Sequence, residues 1–242
     1  MMNATVTIRD ARPADADQIA DYYRYYAEET AINFESAAPE GDEFRRRIAA
    51  VQREYPFLVA VDGAKAGADN GRVVGYIFGE ALSGRPAFLV SALSSIYLDR
   101  EVRGHGIGRA LYAALEERLV QQNVAKLFAY ITCAQDDALA DLRADFTGFT
   151  PGAFRRAGAG REGVADFGAT EDSGSDPHLP RTSPRFHSAI GFSVVGRQYG
   201  CGYKFSTWYD KVYMEKSLID QPATIGDFIP YPQTPAGAAL AL

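Results

Sequence analysis

The chain has 242 residues, a formal net charge of −6 and 47% hydrophobic residues, with a sequence pI near 5.2. That length allows one large domain with extensions around a substantial core. The acidic balance argues against nucleic acid as the main partner, because phosphate binding needs a basic surface. Two cysteines, Cys133 and Cys201, and three histidines, His105, His178 and His187, match no metal-ligand spacing. No apolar signal run opens the chain and no stretch approaches 18 apolar residues. The expectation is therefore a cytoplasmic protein with reduced thiols and no membrane partner.

In chain order, Val6 to Arg9 alternates as a first strand. Pro13, with Asp15 and Asp17 behind it, suits a helix N-terminus; Ile19, Tyr22, Tyr23 and Tyr26 make that helix's apolar face. Tyrosines at this spacing point to core packing rather than a ligand cage. Thr30 to Glu35 reads as a loop. Phe44, Ile48 and Val51 stripe a second helix that ends before Pro56. Phe57 to Val61 and Arg72 to Glu80 read as an antiparallel pair, and Phe88 to Leu98 continues the sheet.

The next stretch carries the strongest signal. The strand end Ser95 to Leu98 runs into Arg103-Gly104-His105-Gly106-Ile107-Gly108 and then a helix. Ile107, Leu111, Ala114, Leu115 and Leu119 share one face of that helix. A glycine-rich turn at a helix N-terminus offers unpaired N–H groups and a positive dipole end to an anion. No Lys-Ser or Lys-Thr follows the glycines, so a P-loop is excluded. The dinucleotide pattern G-x-G-x-x-G fails at Arg109. Arg103, Gly106 and Gly108 do satisfy R-x-x-G-x-G, the pyrophosphate loop of acyltransferases that hold acetyl-CoA. Lys126 to Thr132 is the following strand, and strand–helix–strand order implies a parallel pairing.

Ala138 to Pro180 holds seven glycines and no sustained period; it reads as a surface insertion. Ser183 as N-cap, Pro184 at N1 and Gly191 past the end define a short helix. Phe192 to Val195 and Tyr203 to Lys216 read as aromatic-rich strands. From Ile219 the tail carries four prolines and is expected to be extended.

Together these pieces resemble the GCN5-related N-acetyltransferases (GNAT), and within them the phosphinothricin acetyltransferase branch. The resemblance rests on Thr30-x-Ile32-Asn33-Phe34-Glu35, Tyr55 to Ala60, Val74-Gly75-Tyr76, Ser95 to Leu98, the Arg103 loop, Leu111-Tyr112-x-x-Leu115-Glu116, Phe186-His187-x-x-x-Gly191-Phe192, and Gly202 to Lys216. It covers most of residues 6–136 and 183–216. It implies an α+β GNAT fold: a mixed, twisted sheet of about six or seven strands with helices on both faces. A single domain over 1–217 is expected, with the insertion at 138–180 and a tail over 218–242.

The resemblance also implies a site. Acetyl-CoA would lie with its pyrophosphate on the backbone of Arg103, Gly104, His105, Gly106, Ile107, Gly108 and Arg109, and its pantetheine arm along Ile96, Tyr97 and Leu98. A small primary amine would meet Ile32, Phe34, Tyr203, Phe205 and Trp208. A strand N–H near Leu98 would serve the developing oxyanion. His187 is the candidate for proton work, since histidine titrates near neutrality. The branch usually carries a glutamate base where this chain has Leu93, and leucine takes no proton. Glu80 and Glu35 are the substitute carboxylates to test. The asparagine that often precedes the histidine helix is absent too; Pro180 to Thr182 stand there. Relatives commonly dimerise, so a homodimer is expected. Beside the amino-acid acetyltransferase stand two other readings: an acetyltransferase for another small amine or antibiotic, and a CoA-binding sensor with little catalysis.

Overall fold

A computed structural model describes residues 6–63, 71–102, 104–135, 176–180, 182–220 and 224–238. Among the described residues, seven strands form one sheet in the order β1-β2-β3-β4-β5-β7-β6. They are β1 (Val6–Asp10), β2 (Phe57–Asp62), β3 (Arg72–Ala81), β4 (Ser91–Leu98), β5 (Lys126–Ala134), β6 (Ser193–Lys204) and β7 (Thr207–Ser217). The helices are α1 (Ala16–Glu28), α2 (Gly41–Val51), α3 (Ile107–Gln121), α4 (Thr182–Ala189) and α5 (Pro235–Ala238). β4 and β5 pair in parallel; the other neighbours are antiparallel. The parallel pair is the one that α3 bridges, as a crossover requires.

Alternation along β3 and β4 sends side chains to two cores. Val73, Tyr76 and Phe78 meet α1 and α2 through Ile19, Tyr23, Tyr26, Phe44 and Ile48. The tyrosine stripe of α1 is therefore core, as its spacing predicts: Tyr23 packs edge-on against Phe44 and Tyr97 at 5.3 and 4.9 Å. On the opposite face, Val74, Ile77 and Ala92 meet Leu111, Leu115 and Leu119 of α3. These three leucines have no exposed surface, and each contributes about 1.5–3 kcal/mol by leaving water.

Several boundaries differ from the sequence reading. Tyr203 to Lys216 is not one strand. Phe205 and Ser206 form a turn between β6 and β7, with φ of 49° and 58° and Lys204 facing Thr207. Both turn residues are left-handed without glycine or asparagine, so the usual hairpin signal was missing. α4 begins at Thr182, one residue before the expected cap. Its C-terminal end follows expectation: Gly191 has φ 100°, and Phe192 N donates to His187 O at 3.0 Å.

Of the expected insertion, 138–175 lie outside the described residues. Its last residues are packed. Leu179 is buried with Ala31, Ala134 and Tyr209, and His178 stacks on Phe205 at 3.9 Å. In the tail, a 3-10 turn at Tyr231–Gln233 and α5 follow residues 224–230. Tyr231 is fully buried. Its hydroxyl donates to Asp10 Oδ1 at 2.6 Å and accepts from Arg118 Nε at 3.1 Å. Among the described residues no helix is long and apolar enough to cross a membrane.

Candidate active site

The site arises where the central sheet comes apart. β4 pairs with β5 only from Ser91↔Lys126 to Ser94↔Ala129. Beyond Ser94 the two strands diverge, and a cleft opens between Ser95–Tyr97 and Tyr130–Thr132. Ile32 closes one side of it; Tyr112, Ser183 and His187 close the other. An unpaired stretch of strand inside a fold is a row of hydrogen-bonding groups open to a ligand. At its end the Leu98 carbonyl is already engaged by the Tyr26 hydroxyl.

The glycine loop leads into α3 beside the end of β4: a Cβ on Gly108 would lie 3.5 Å from Leu98 Cδ1. Arg103 lies outside the described residues. Gly104 and Gly106 have φ of 84° and 76°, and a Cβ on either would meet nothing within 4 Å. The open space and left-handed backbone fit a cradle for an anion. Gly106 caps α3, whose first intrahelical bond runs from Ala110 N to Gly106 O at 3.0 Å. The N–H groups of Ile107, Gly108 and Arg109 thus precede that ladder. The Ile107 side chain is buried in the core, so only its backbone is offered. Gly108 has a different reason to be glycine: a Cβ there would sit 3.0 Å from Phe186 Cζ of α4. His105 is exposed, with Nδ1 3.2 Å from Val102 O. Arg109 reaches away to Ala189 O at 3.4 Å.

His187 is 3% exposed. Its Nδ1 lies 2.8 Å from Ser183 O. A carbonyl only accepts, so Nδ1 carries the proton and Nε2 keeps its lone pair. Nε2 lies 2.8 Å from the Tyr112 hydroxyl, which donates to it. Burial lowers the His187 pKa to about 4, against a smaller raising effect of the Ser183 carbonyl. The imidazole is therefore neutral at pH 7. Burial likewise raises the Tyr112 pKa, keeping that phenol protonated.

The other site residues distribute unevenly. Glu80, on β3, stands directly across from Leu93 on β4. Burial raises its pKa. Neither Glu80 nor Glu35 lines the cleft. Glu35 Oε1 accepts from Arg47 at 3.2 Å, while Oε2 is buried without a hydrogen-bond partner. Of the five expected substrate contacts, Ile32 lines the cleft. Phe34 packs inward with Tyr209 and Leu179. Phe205 lies under His178. Tyr203 and Trp208 are 59% and 56% exposed and pack on each other near the hairpin turn.

Sequence reasoning missed what holds the Ile32–Glu35 loop. Asn33 Oδ1 accepts from Glu35 N at 3.2 Å, an Asx turn. Thr30 Oγ1 donates to Tyr26 O at 2.8 Å. Lys204 Nζ sits among four carbonyls, of Ala27, Thr30, Asn33 and Glu35, at 2.6–3.3 Å. Thr132 then ties the loop to β5 by donating to Ile32 O at 3.0 Å. No local pattern marks a lysine for such a role.

An open mixed sheet split at one parallel pair, with a glycine-rich helix start beside the split, defines an acyltransferase-type architecture. A family model described as the Acetyltransferase (GNAT) family matches residues 20–146, more than half of the chain, and the chain belongs to that family. The phosphinothricin N-acetyltransferase of Streptomyces coelicolor is 27% identical over 165 residues, 68% of this chain and 91% of that protein. The one from Alcaligenes faecalis is 25% identical over 213 residues, 88% of this chain and 82% of its own length. Among solved structures, a GNAT superfamily phosphinothricin acetyltransferase from Sinorhizobium meliloti, in complex with AcCoA, aligns with a TM-score of 0.65 at 25% identity. The match covers 96% of this chain and 97% of that one. A putative acetyltransferase from Salmonella typhimurium with acetyl-CoA shares the fold, with a TM-score of 0.64 at 22% identity over 92% of this chain and 98% of its own.

Proposed function

We propose that this protein transfers the acetyl group of acetyl-CoA to the primary amine of a small amino-acid-like substrate of the phosphinothricin or methionine sulfoximine type. The amine attacks directly, and His187 assists proton transfer. The observation that carries the reading is the cleft between β4 and β5, with the neutral His187 beside it and the Gly104–Arg109 backbone at the start of α3.

Acetyl-CoA supplies an activated thioester. The backbone of Gly104 to Arg109 holds its pyrophosphate, with Arg103 adding charge. Strand groups of Ile96 to Leu98 hold its arm, and a β4 N–H near Leu98 stabilises the oxyanion. His187 is the proton carrier. With its pKa near 4, it is a weak base at rest and, once protonated, a strong acid towards a leaving thiolate. Glu35, with one unpartnered buried oxygen beside the Ile32–Phe34 loop, is the first carboxylate to test as base; Glu80, across from Leu93, is the second. In this reading residues 1–217 form the catalytic domain, 138–180 an insertion and 218–242 a tail. The enzyme is homodimeric, as the family resemblance leads one to expect, and cytoplasmic, as its composition leads one to expect.

A second reading keeps the cofactor but changes the role. Leu93 puts an apolar side chain where the branch has its glutamate, which favours another acceptor or a CoA sensor. A thiol-release assay with acetyl-CoA and a panel of amines, including phosphinothricin and methionine sulfoximine, separates these. Turnover on those two supports the leading reading. Acetyl-CoA stabilisation with silence across amino acids, and turnover on a different amine or none, overturns it.

A further inference from the structure

Beneath the cleft, four groups from four elements lie in a row. His187 Nδ1 is bonded to Ser183 O at 2.8 Å within α4. His187 Nε2 is 2.8 Å from Tyr112 Oη on α3. Tyr112 Oη is 3.1 Å from Ser94 Oγ on β4. Ser94 Oγ is 3.0 Å from Phe128 O on β5. Ser94 is also the last β4 residue paired to β5 and lines the cleft floor. We propose that Ser94 and Tyr112 form a proton relay that connects the cleft to His187 Nε2. The proposal rests on the reading of His187 as proton carrier and extends it to two residues with no assigned role.

The count of hydrogens supports a two-state chain. With His187 neutral, Tyr112 donates to Nε2, and the Ser94 hydrogen has two acceptors in reach, the Phe128 carbonyl and the Tyr112 oxygen. With Nε2 protonated, the two side-chain bonds run the other way: Nε2–H donates to Tyr112 and Tyr112 to Ser94, while Ser94 donates to the Phe128 carbonyl. Each hydroxyl has one proton and an acceptor in both states. The carbonyl at the far end gives the Ser94 hydrogen a partner in the second state. A chain satisfied both ways can move a proton without leaving a buried polar group unpaired.

The chemistry balances. Transfer forms a C–N bond and breaks the C–S bond of the thioester. One proton leaves the nitrogen and one must reach the sulfur. A proton received at Ser94 Oγ displaces the serine proton to Tyr112, and the tyrosine proton to Nε2. The return of that proton along the same path delivers it to the departing thiolate and resets the chain. His187 Nε2 is taken up by the Tyr112 hydroxyl at 2.8 Å, so a relay through that hydroxyl gives His187 a route for exchanging a proton with Ser94 and the cleft.

The test compares Tyr112→Phe, Ser94→Ala, Ser94→Thr and His187→Gln, with the double variant Tyr112→Phe/His187→Gln. The kinetics use acetyl-CoA and any amine active in the thiol-release panel. We expect Tyr112→Phe and Ser94→Ala to lower kcat roughly ten- to a hundredfold, with the KM for acetyl-CoA within about twofold of the parent. Ser94→Thr, which keeps the hydroxyl, restores the rate. The double variant is no slower than His187→Gln, because one chain is broken either way. A ligand-free readout runs beside this. Histidine 15N NMR should show His187 as the Nδ1–H form, and Tyr112→Phe should shift Nε2 towards an unbonded nitrogen. A slow His187→Gln with a full-rate Tyr112→Phe, or additive losses in the double variant, overturns the relay and leaves His187's role standing. A full-rate His187→Gln overturns the proton role itself, and the relay with it. If no amine turns over, an Nε2 signal unmoved by Tyr112→Phe overturns the relay.

Discussion

Phe34 lies over Gly202: a Cβ on that glycine would fall 2.1 Å from the ring's Cζ. The Ile32–Glu35 loop and strand β6 are therefore fitted to each other through an absent side chain. Gly202→Ala forces the ring out or the strand away. The expected cost is about 1–3 kcal/mol, read as a lower urea midpoint at constant m-value. A variant as stable as the parent would mean the loop yields without resistance.

The ammonium of Lys204 holds the same loop from below through four carbonyls. Lys204→Met removes the donor and leaves those carbonyls unpaired. Stability should fall by roughly 2–3 kcal/mol. The KM for the amine should rise more than that for acetyl-CoA, because the glycine loop is on a separate element. Equal changes in both constants would assign Lys204 a general structural role.

Gly106 takes φ 76° with open space beyond its Cα. Gly106→Val puts a β-branched residue into the left-handed region, costing on the order of 1–2 kcal/mol, and fills the space offered to a pyrophosphate. Calorimetric titration should show acetyl-CoA affinity lost. Normal affinity would remove the phosphate cradle from the α3 N-terminus.

His187 gives folding a pH dependence of defined sign. Its folded pKa of about 4 lies below the ordinary 6.5, so the unfolded chain binds the proton more readily. Stability from this group is complete above pH 6.5 and declines as pH falls towards 4, by about 3 kcal/mol in all. Chemical denaturation at pH 7 and pH 5 should show a smaller pH loss for His187→Gln than for the parent. Equal slopes would place the imidazole in a more polar setting.

Local pattern was enough for much of this protein. The 3.6-residue stripe of α3, the apolar runs of β2 and β3, and Gly191 past α4 each encode their element in neighbouring residues. The R-x-x-G-x-G loop encodes a backbone shape, and Gly104 and Gly106 take the left-handed conformation that glycine permits. Leu93 was legible as a departure. Its place across from Glu80 became visible only once β3 and β4 were in register.

What the tertiary structure decided is what long-range contact decides. The cleft exists because β4 and β5 pair over a few residues and then part, and no residue in either strand announces the last pair. Tyr112 read as part of a family motif; its hydrogen bond to a histidine 75 residues away follows from packing α4 against α3. Tyr203 and Trp208 had the composition of a binding surface and were placed near solvent at the hairpin turn. Phe205 and Ser206 turned the chain without the usual residues for it. Local sequence specifies periodicity and backbone preference within a few residues. Buried hydrogen-bond chains depend on side chains meeting across elements, and only the folded sheet brings Ser94, Tyr112 and His187 together.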